Sequence, residues 1–372
     1  MNTSQPIRLL PAAIVLALSS LIVLPVAAQE LGSTSMRAQR TERMKEQGRT
    51  SEKQAKQAAE YPEATRQEPN ERASAKGMKQ LQSLAKQYEA GEYAAVMDAA
   101  AAFANTASNS YEKAYAYQLA ASAAAETEQW AKGVEYAKAA VEANGLDNNN
   151  HFRVMSNLAS MQAQQEQYPQ ALATIERFLA ETKSTDSRYL SMRASLLANA
   201  GRNDEAAAAF KQILAQNPGD KRVLMNVVST LQQGDKFAEA NQLLQDARKR
   251  GMLTEAREYR SLYSGLLSTE DWKGAAEVIE EGAMKGLLPK DKDLAKAWSV
   301  TGNRAYFADD LDAAAKYYAR AAEISDDGED YLNLAKVYDF QNKQAESRAA
   351  AQKALAKGVG NKAEATRLSN KK

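Results

Sequence analysis

Arg153, Ser156 and Ser160 stand three and four residues apart, and the same spacing returns in Arg188, Ser191 and Ser195. It returns again in Arg222, Met225 and Ser229, in Arg257, Arg260 and Ser264, and in Lys296, Ser299 and Asn303, with Asn157 and Asn226 alongside. On a helix, separations of three and four place side chains on one face. Each face therefore starts with a cation and continues with short hydroxyl or amide groups. Such a set can hold a carboxylate through charge-assisted hydrogen bonds. A cation at a helix start opposes the helix dipole, so helix propensity alone does not explain the column. The plainer alternative is five exposed helix starts that are basic without a shared role. Hydrolysis would need paired acids on these faces, and the column is basic.

Other chemistry has little to work with. The chain has no cysteine, which excludes a disulfide framework, a thiol nucleophile and a thiolate metal site. His151 is the single histidine, beside the run Asp147-Asn148-Asn149-Asn150, and it reads as a surface or capping residue at a turn. No second histidine can complete a metal pair or a triad. No glycine-rich phosphate loop occurs. Asp309-Asp310 and Asp326-Asp327 read as helix caps rather than cation ligands. No cofactor is implied, and the expectation is a protein without catalytic activity. A charged fraction of 26% with a net charge of +1 points to neither nucleic acid nor an anionic membrane.

The elements that would position these residues follow from Ala295 to Asp327, which reads AKAWSVTGNRAYFADDLDAAAKYYARAAEISDD. Trp298, Gly302 and Ala305 share a helical face; an Asp-Asp turn follows; Ala314, Tyr318 and Ala321 mark a second helix. Small residues at Gly302 and Ala314 let two backbones approach, and Trp298 and Tyr318 fill the gaps between one hairpin and the next. This resembles the tetratricopeptide repeat, two antiparallel helices in about 34 residues. The register recurs: Tyr93, Trp130, Tyr168, Phe237 and Trp272 hold the place of Leu311, with Asn203 and Gln344 as polar substitutes. The small residue recurs as Gly133, Ala171, Ala206, Ala240 and Ala275, with Val96 and Ser347 at the ends. Units begin near Gly77, Ala114, Phe152, Ser187, Lys221, Ala256, Ala295 and Gly328, and two short stretches, Asp147–Asn150 and Leu288–Asp291, read as insertions at turns. The fold expected is all-α, a right-handed α-solenoid of about eight hairpins with a concave and a convex face. In a tetratricopeptide array the second, fifth and ninth positions of each first helix line the concave groove. The resemblance therefore makes Arg153, Asn157, Ser160, Arg188, Ser191, Ser195, Arg222, Asn226, Ser229, Arg257, Arg260, Lys296 and Asn303 a partner-binding groove for acidic or carboxylate-ended segments. The arrangement is similar to the carboxylate-binding set of tetratricopeptide co-chaperones, without its full complement of residues.

Outside the repeats, residues 1–28 read as a secretory signal. Arg8 supplies the positive start, Leu9 to Leu24 the apolar run, Pro25 the break, and Val26-Ala27-Ala28 the small residues for cleavage after Ala28. The rival reading, a retained anchor, would want a run of about 20 residues. Lipid attachment lacks its cysteine. The mature chain is then expected in the periplasm, without stable membrane insertion. Residues 29–76 mix charges of both signs and read as a disordered or transiently helical leader, dispensable for folding. Its basic first half leaves a docking arm as the alternative to a solvated linker. The solenoid is expected over 77–357 and a short basic tail over 358–372.

Three segments resemble a narrower group: Ala247–Leu267, Ala275–Leu288 and Ala319–Lys343. They are similar to periplasmic tetratricopeptide proteins encoded beside TonB, ExbB and ExbD in proteobacteria. That resemblance implies a non-catalytic scaffold, accessory to a TonB-type energy-transducing transport system, with TonB, ExbB or ExbD components as partners. The alternative is an adaptor in another envelope process, outer-membrane assembly or polysaccharide export, on the same solenoid.

Overall fold

The structure, a computed structural model, describes residues 59–371. The signal-like segment 1–28 and residues 29–58 of the leader lie outside the described residues. Within them the chain is all-α. It divides into two compact units, which meet in sequence at Ala209 and Phe210.

Unit 1 holds the helices α1 (Ala75–Glu89), α2 (Tyr93–Thr106), α3 (Ser110–Glu126), α4 (Trp130–Ala143), α5 (Asn148–Gln164), α6 (Tyr168–Thr182) and α7 (Ser187–Asn199). The helix α8 (Asn203–Gln216) carries the division between units. Unit 2 continues with α9 (Lys221–Gln233), α10 (Phe237–Lys249), α11 (Ala256–Ser268), α12 (Trp272–Met284), α13 (Lys292–Phe307), α14 (Leu311–Ile324), α15 (Glu329–Phe340), α16 (Gln344–Lys357) and α17 (Lys362–Ser369). Within unit 1 the helices pair as hairpins α1 with α2, α3 with α4 and α5 with α6; within unit 2 they pair α9 with α10, α11 with α12, α13 with α14 and α15 with α16.

Each hairpin turns on one left-handed residue, two places before its second helix: Gly91, Glu128, Glu166, Gly201, Asp235, Glu270, Asp309 and Asn342. Six of the eight are not glycine. Each of those accepts a conformation that costs an L-residue about 1–2 kcal/mol, because it closes the turn in the fewest residues. The second helices then open on Tyr93, Trp130, Tyr168, Asn203, Phe237, Trp272, Leu311 and Gln344, the register expected from the sequence. Most first helices are started by side-chain caps, α15 with Gly328 at its N-cap being the exception. Asn109, Asp147, Asp186, Asp220 and Asp291 each accept a backbone N–H of the turn that follows, and Glu255 and Glu258 form a capping box on α11. Asp310 caps α14 in the same way, as expected for the Asp309-Asp310 turn.

The small-residue column is buried throughout. Ala171, Ala206, Ala240, Ala275 and Ala314 have no exposed surface, and Gly133 is buried. A Cβ added at Gly302 would lie 3.2 Å from the Tyr318 ring, so glycine there sets the helix separation in the α13/α14 hairpin. Trp298 stacks on Tyr317 at 5.5 Å on the other side. Ala314→Leu is expected to overfill this hairpin and cost about 1–3 kcal/mol, read as a lower urea midpoint with a loss that spreads to adjoining hairpins of unit 2.

Three expectations are corrected here. The asparagine run is no insertion: Asp147 is the N-cap, and Asn148 to Asn150 form the first turn of α5. This adds a turn ahead of Phe152 and carries His151 inward, where it is buried at 1% exposure instead of lying on the surface. The last residues do not form only a tail, because α17 buries Ala365 and Leu368 and packs along α16. Finally, residues 59–74 of the leader do join a core. They run without helix or strand along unit 1 and bury Tyr61. A segment needs no apolar periodicity to do this: one aromatic ring and a series of hydrogen bonds to helix ends suffice.

Candidate functional site

The predicted site residues fall on the first helices, in both units. In unit 1, α5 carries Arg153, Asn157 and Ser160, and α7 carries Arg188, Ser191 and Ser195. Arg153 donates to Asn150 Oδ1, and Ser156 and Ser160 turn their hydroxyls back to carbonyls of their own helix, at 2.9 and 3.1 Å. The Arg188 guanidinium binds Asp186, the N-cap of its own helix, at 2.7 Å and lies over the Tyr189 ring. That pairing pushes Arg188 above its ordinary value and Asp186 below.

The same register one hairpin earlier gives Tyr115, Gln118 and Ser122 on α3, which sequence reasoning missed. The column was recognised by its leading cation, and Tyr115 is not one; the spacing was the available signal. Gln118, Ser122 and Asn157 line a small cavity between α3 and α5, floored by Ala121, Ala137, Val154 and Met161. Gln118 is 7% exposed, and its Oε1 has no hydrogen-bond partner among the described residues. The buried Tyr115 hydroxyl and the buried Ser191 Oγ have none either. Burial raises the Tyr115 pKa well above the ordinary phenol value. Buried polar groups are nearly always paired in folded proteins, so these three mark places that a bound water, or a ligand reached by a local opening of the helices, would satisfy. Gln118 Oε1 and Ser191 Oγ can accept from a peptide N–H, and the Tyr115 hydroxyl can donate to a peptide carbonyl.

In unit 2, α9 carries Arg222, Asn226 and Ser229, α11 carries Arg257 and Arg260, and α13 carries Lys296 and Asn303. Part of this column is neutralised locally. Arg257 binds Glu255 at 2.9 Å, and Arg260 binds Asp291 at 2.7 Å and Asp293 at 3.2 Å. Glu255 and Asp291 are also the helix starts, which resolves the conflict of basic residues with the helix dipole: the cations answer the caps. Arg222 and Lys296 are exposed and have no carboxylate partner among the described residues. Within this column of unit 2 they are the cations left open to a ligand.

Among the described residues, no group of three or more histidine, aspartate or glutamate side chains could hold a metal ion. No helix there is long and apolar enough to cross a membrane.

Residues 197–264 match the tetratricopeptide repeat family. On either side of that stretch, each unit holds helical hairpins of the same two-helix form. No curated protein sequence matches it. Among solved structures, a tetratricopeptide repeat protein from Parabacteroides merdae is 16% identical, with 70% of this chain and 98% of that one covered and a TM-score of 0.43. The C-terminal part of a TPR repeat-containing protein from Cytophaga hutchinsonii is 15% identical over 66% of this chain and 96% of that one, with a TM-score of 0.49. YrrB, described as a TPR protein with an unusual peptide-binding site, is 16% identical over 53% of this chain and 98% of that one, with a TM-score of 0.38.

Proposed function

We propose that the protein is a periplasmic interaction scaffold that holds extended peptide segments on the faces of its first helices and serves a TonB-type transport system. The observation that carries the peptide reading is the set of buried, unpartnered polar groups, Tyr115, Gln118 and Ser191, in the register that also holds Asn157. A peptide main chain offers donors and acceptors at a regular spacing and can satisfy them. Arg222 and Lys296 favour an acidic or carboxylate-ended segment. The three segments that resemble TonB-linked tetratricopeptide proteins supply the pathway, with a soluble part of TonB, ExbB or ExbD as the partner.

The test is binding of purified periplasmic TonB and ExbD domains to the full chain at low and high salt. The Arg222→Ala/Lys296→Ala variant is expected to lose about 1–3 kcal/mol per truncated contact, with salt weakening the wild-type complex in the same direction. Gln118→Leu fills the polar position with an apolar group and is expected to weaken binding independently of salt. Equal binding by all three proteins removes the groove. Binding of neither domain to the wild type removes the TonB assignment.

A further inference from the structure

Residues 59–74 lie on unit 1 in the manner of a bound peptide. The Tyr61 ring meets Phe152 at 5.3 Å and Phe178 at 5.5 Å, both edge-on, and its hydroxyl pairs with that of Tyr189 at 2.9 Å. Five residues on, Arg66 reaches the C-terminal end of α4. Its guanidinium donates to Asn144 Oδ1 at 2.8 Å, to the carbonyls of Asn144 and Leu146, and to Asn148 Oδ1 at 2.6 Å. Glu68 then accepts the Asn148 N–H at the start of α5, and Glu71 accepts the Ser110 N–H at the start of α3. The charges suit the helix ends they meet: a cation at a C-terminus, carboxylates at N-termini. Side-chain amides grip the strap's main chain as well. Asn149 Oδ1 accepts the Glu60 N–H, Asn148 donates to the Arg66 carbonyl, and Asn109 donates to the Arg72 carbonyl.

The grip is concentrated in few places. Tyr61 is the one strap residue that is buried, and most of the others are exposed. The strap joins α1 directly through Ser74, whose hydroxyl caps that helix, so leaving the surface requires no hairpin to open. The site is complete without the strap, because every group that holds it belongs to α3 through α7 or their connections.

We propose that this edge of unit 1 is a peptide-docking cleft and that the strap is its resident, exchangeable occupant. Its ligand in trans is an extended segment of a partner protein, with an aromatic residue five places before an arginine and carboxylates two and five places after it. The cis strap competes with that segment and keeps the cleft closed until the partner is present. This cleft lies on the helix ends and does not depend on the first-helix faces.

The experiment uses a labelled peptide of residues 59–74 and the full chain, read by fluorescence anisotropy. Tyr61→Ala and Arg66→Ala each loosen the cis strap without touching the cleft. With an effective cis concentration in the millimolar range, these variants are expected to bind the peptide with a Kd of about 10–100 μM. The wild type is expected to bind about 10–100-fold more weakly, because the strap leaves few molecules open. A peptide carrying the Tyr61→Ala change is expected not to bind. Circular dichroism confirms the fold, and Arg66→Ala serves if Tyr61→Ala disturbs it. Equal binding to wild type and variants, or no binding to either folded variant at about 1 mM peptide, overturns the proposal.

Discussion

Tyr61→Ala is expected to destabilise unit 1 by about 1.5–3 kcal/mol, read as a lower urea midpoint of the full chain. The ring is 7% exposed and packs edge-on against two phenylalanines that have no exposed surface. Its removal forfeits both the buried area of one aromatic side chain and the edge-to-face contacts. The loss has a ceiling, because a strap that no longer holds can leave. The cost of Tyr61→Ala cannot exceed the free energy with which the strap docks, so a chain beginning at Ala75 is expected to show a loss equal to or slightly above it. An unchanged midpoint in both proteins would mean that the docked strap contributes no stability and that the leader is dispensable for folding.

His151→Leu is expected to change the acid limb of the stability profile. His151 is 1% exposed, and neither ring nitrogen has a hydrogen-bond partner among the described residues. Burial, reinforced by the nearby Arg66 and Arg177 and opposed by Asp147, lowers its pKa from 6.5 to about 3. The unfolded chain therefore takes up a proton on this residue below pH 6.5 while the folded chain stays neutral until about pH 3. Stability is whole above pH 6.5, falls as the pH drops through that window, and levels off below it. Between pH 7 and 4.5 this one residue is expected to cost about 2–3 kcal/mol. The leucine variant lacks that term and keeps the acid response of the carboxylates, so the difference between the two profiles is the measurement. At neutral pH the variant is expected to equal or exceed the wild type, since it replaces an unpaired buried polar group by an apolar one. Parallel profiles from pH 7 to 4.5 would show that His151 gains a partner or solvent when protonated.

The hairpin register was legible because each second helix begins two residues after the turn, on an aromatic residue in five of the eight hairpins, and the small residue follows three places later. Close packing forces that combination, and it repeats often enough to align by eye. The helix starts were less clear for α3, α5 and α13, which run a turn longer than the repeat requires. Asn109, Asp147 and Asp291 signal the true starts, but a polar run ahead of an apolar pattern also looks like a loop. That ambiguity misplaced His151. The strap was illegible for a different reason. Its stability comes from surfaces elsewhere in the chain, and nothing within residues 59–74 shows that a cage for Tyr61 lies beyond residue 150. In the candidate groove, the cation column is visible in the sequence while its neutralisation is not, because Asp186 and Glu255 stand two residues before the arginines they bind, outside the three-and-four spacing that picks out the column. Tyr115 and Gln118 satisfied the spacing and were passed over for want of a positive charge.

Hairpins that touch only their neighbours can unzip from an end, one at a time. The strap changes that for unit 1. Its bonds join residues 78 and 128 positions apart, Arg66 to Asn144 and Tyr61 to Tyr189. It acts as a clasp across several links of a chain. Opening any hairpin from α3 to α7 then costs that hairpin its bonds to the strap as well as those to its neighbours. The clasp can close only after those hairpins have formed, so it belongs to the last step of folding and the first of unfolding. With the strap seated, slow amide exchange in α3 through α7 should approach a single shared opening energy; with it displaced, the same helices should exchange in order from the end inward.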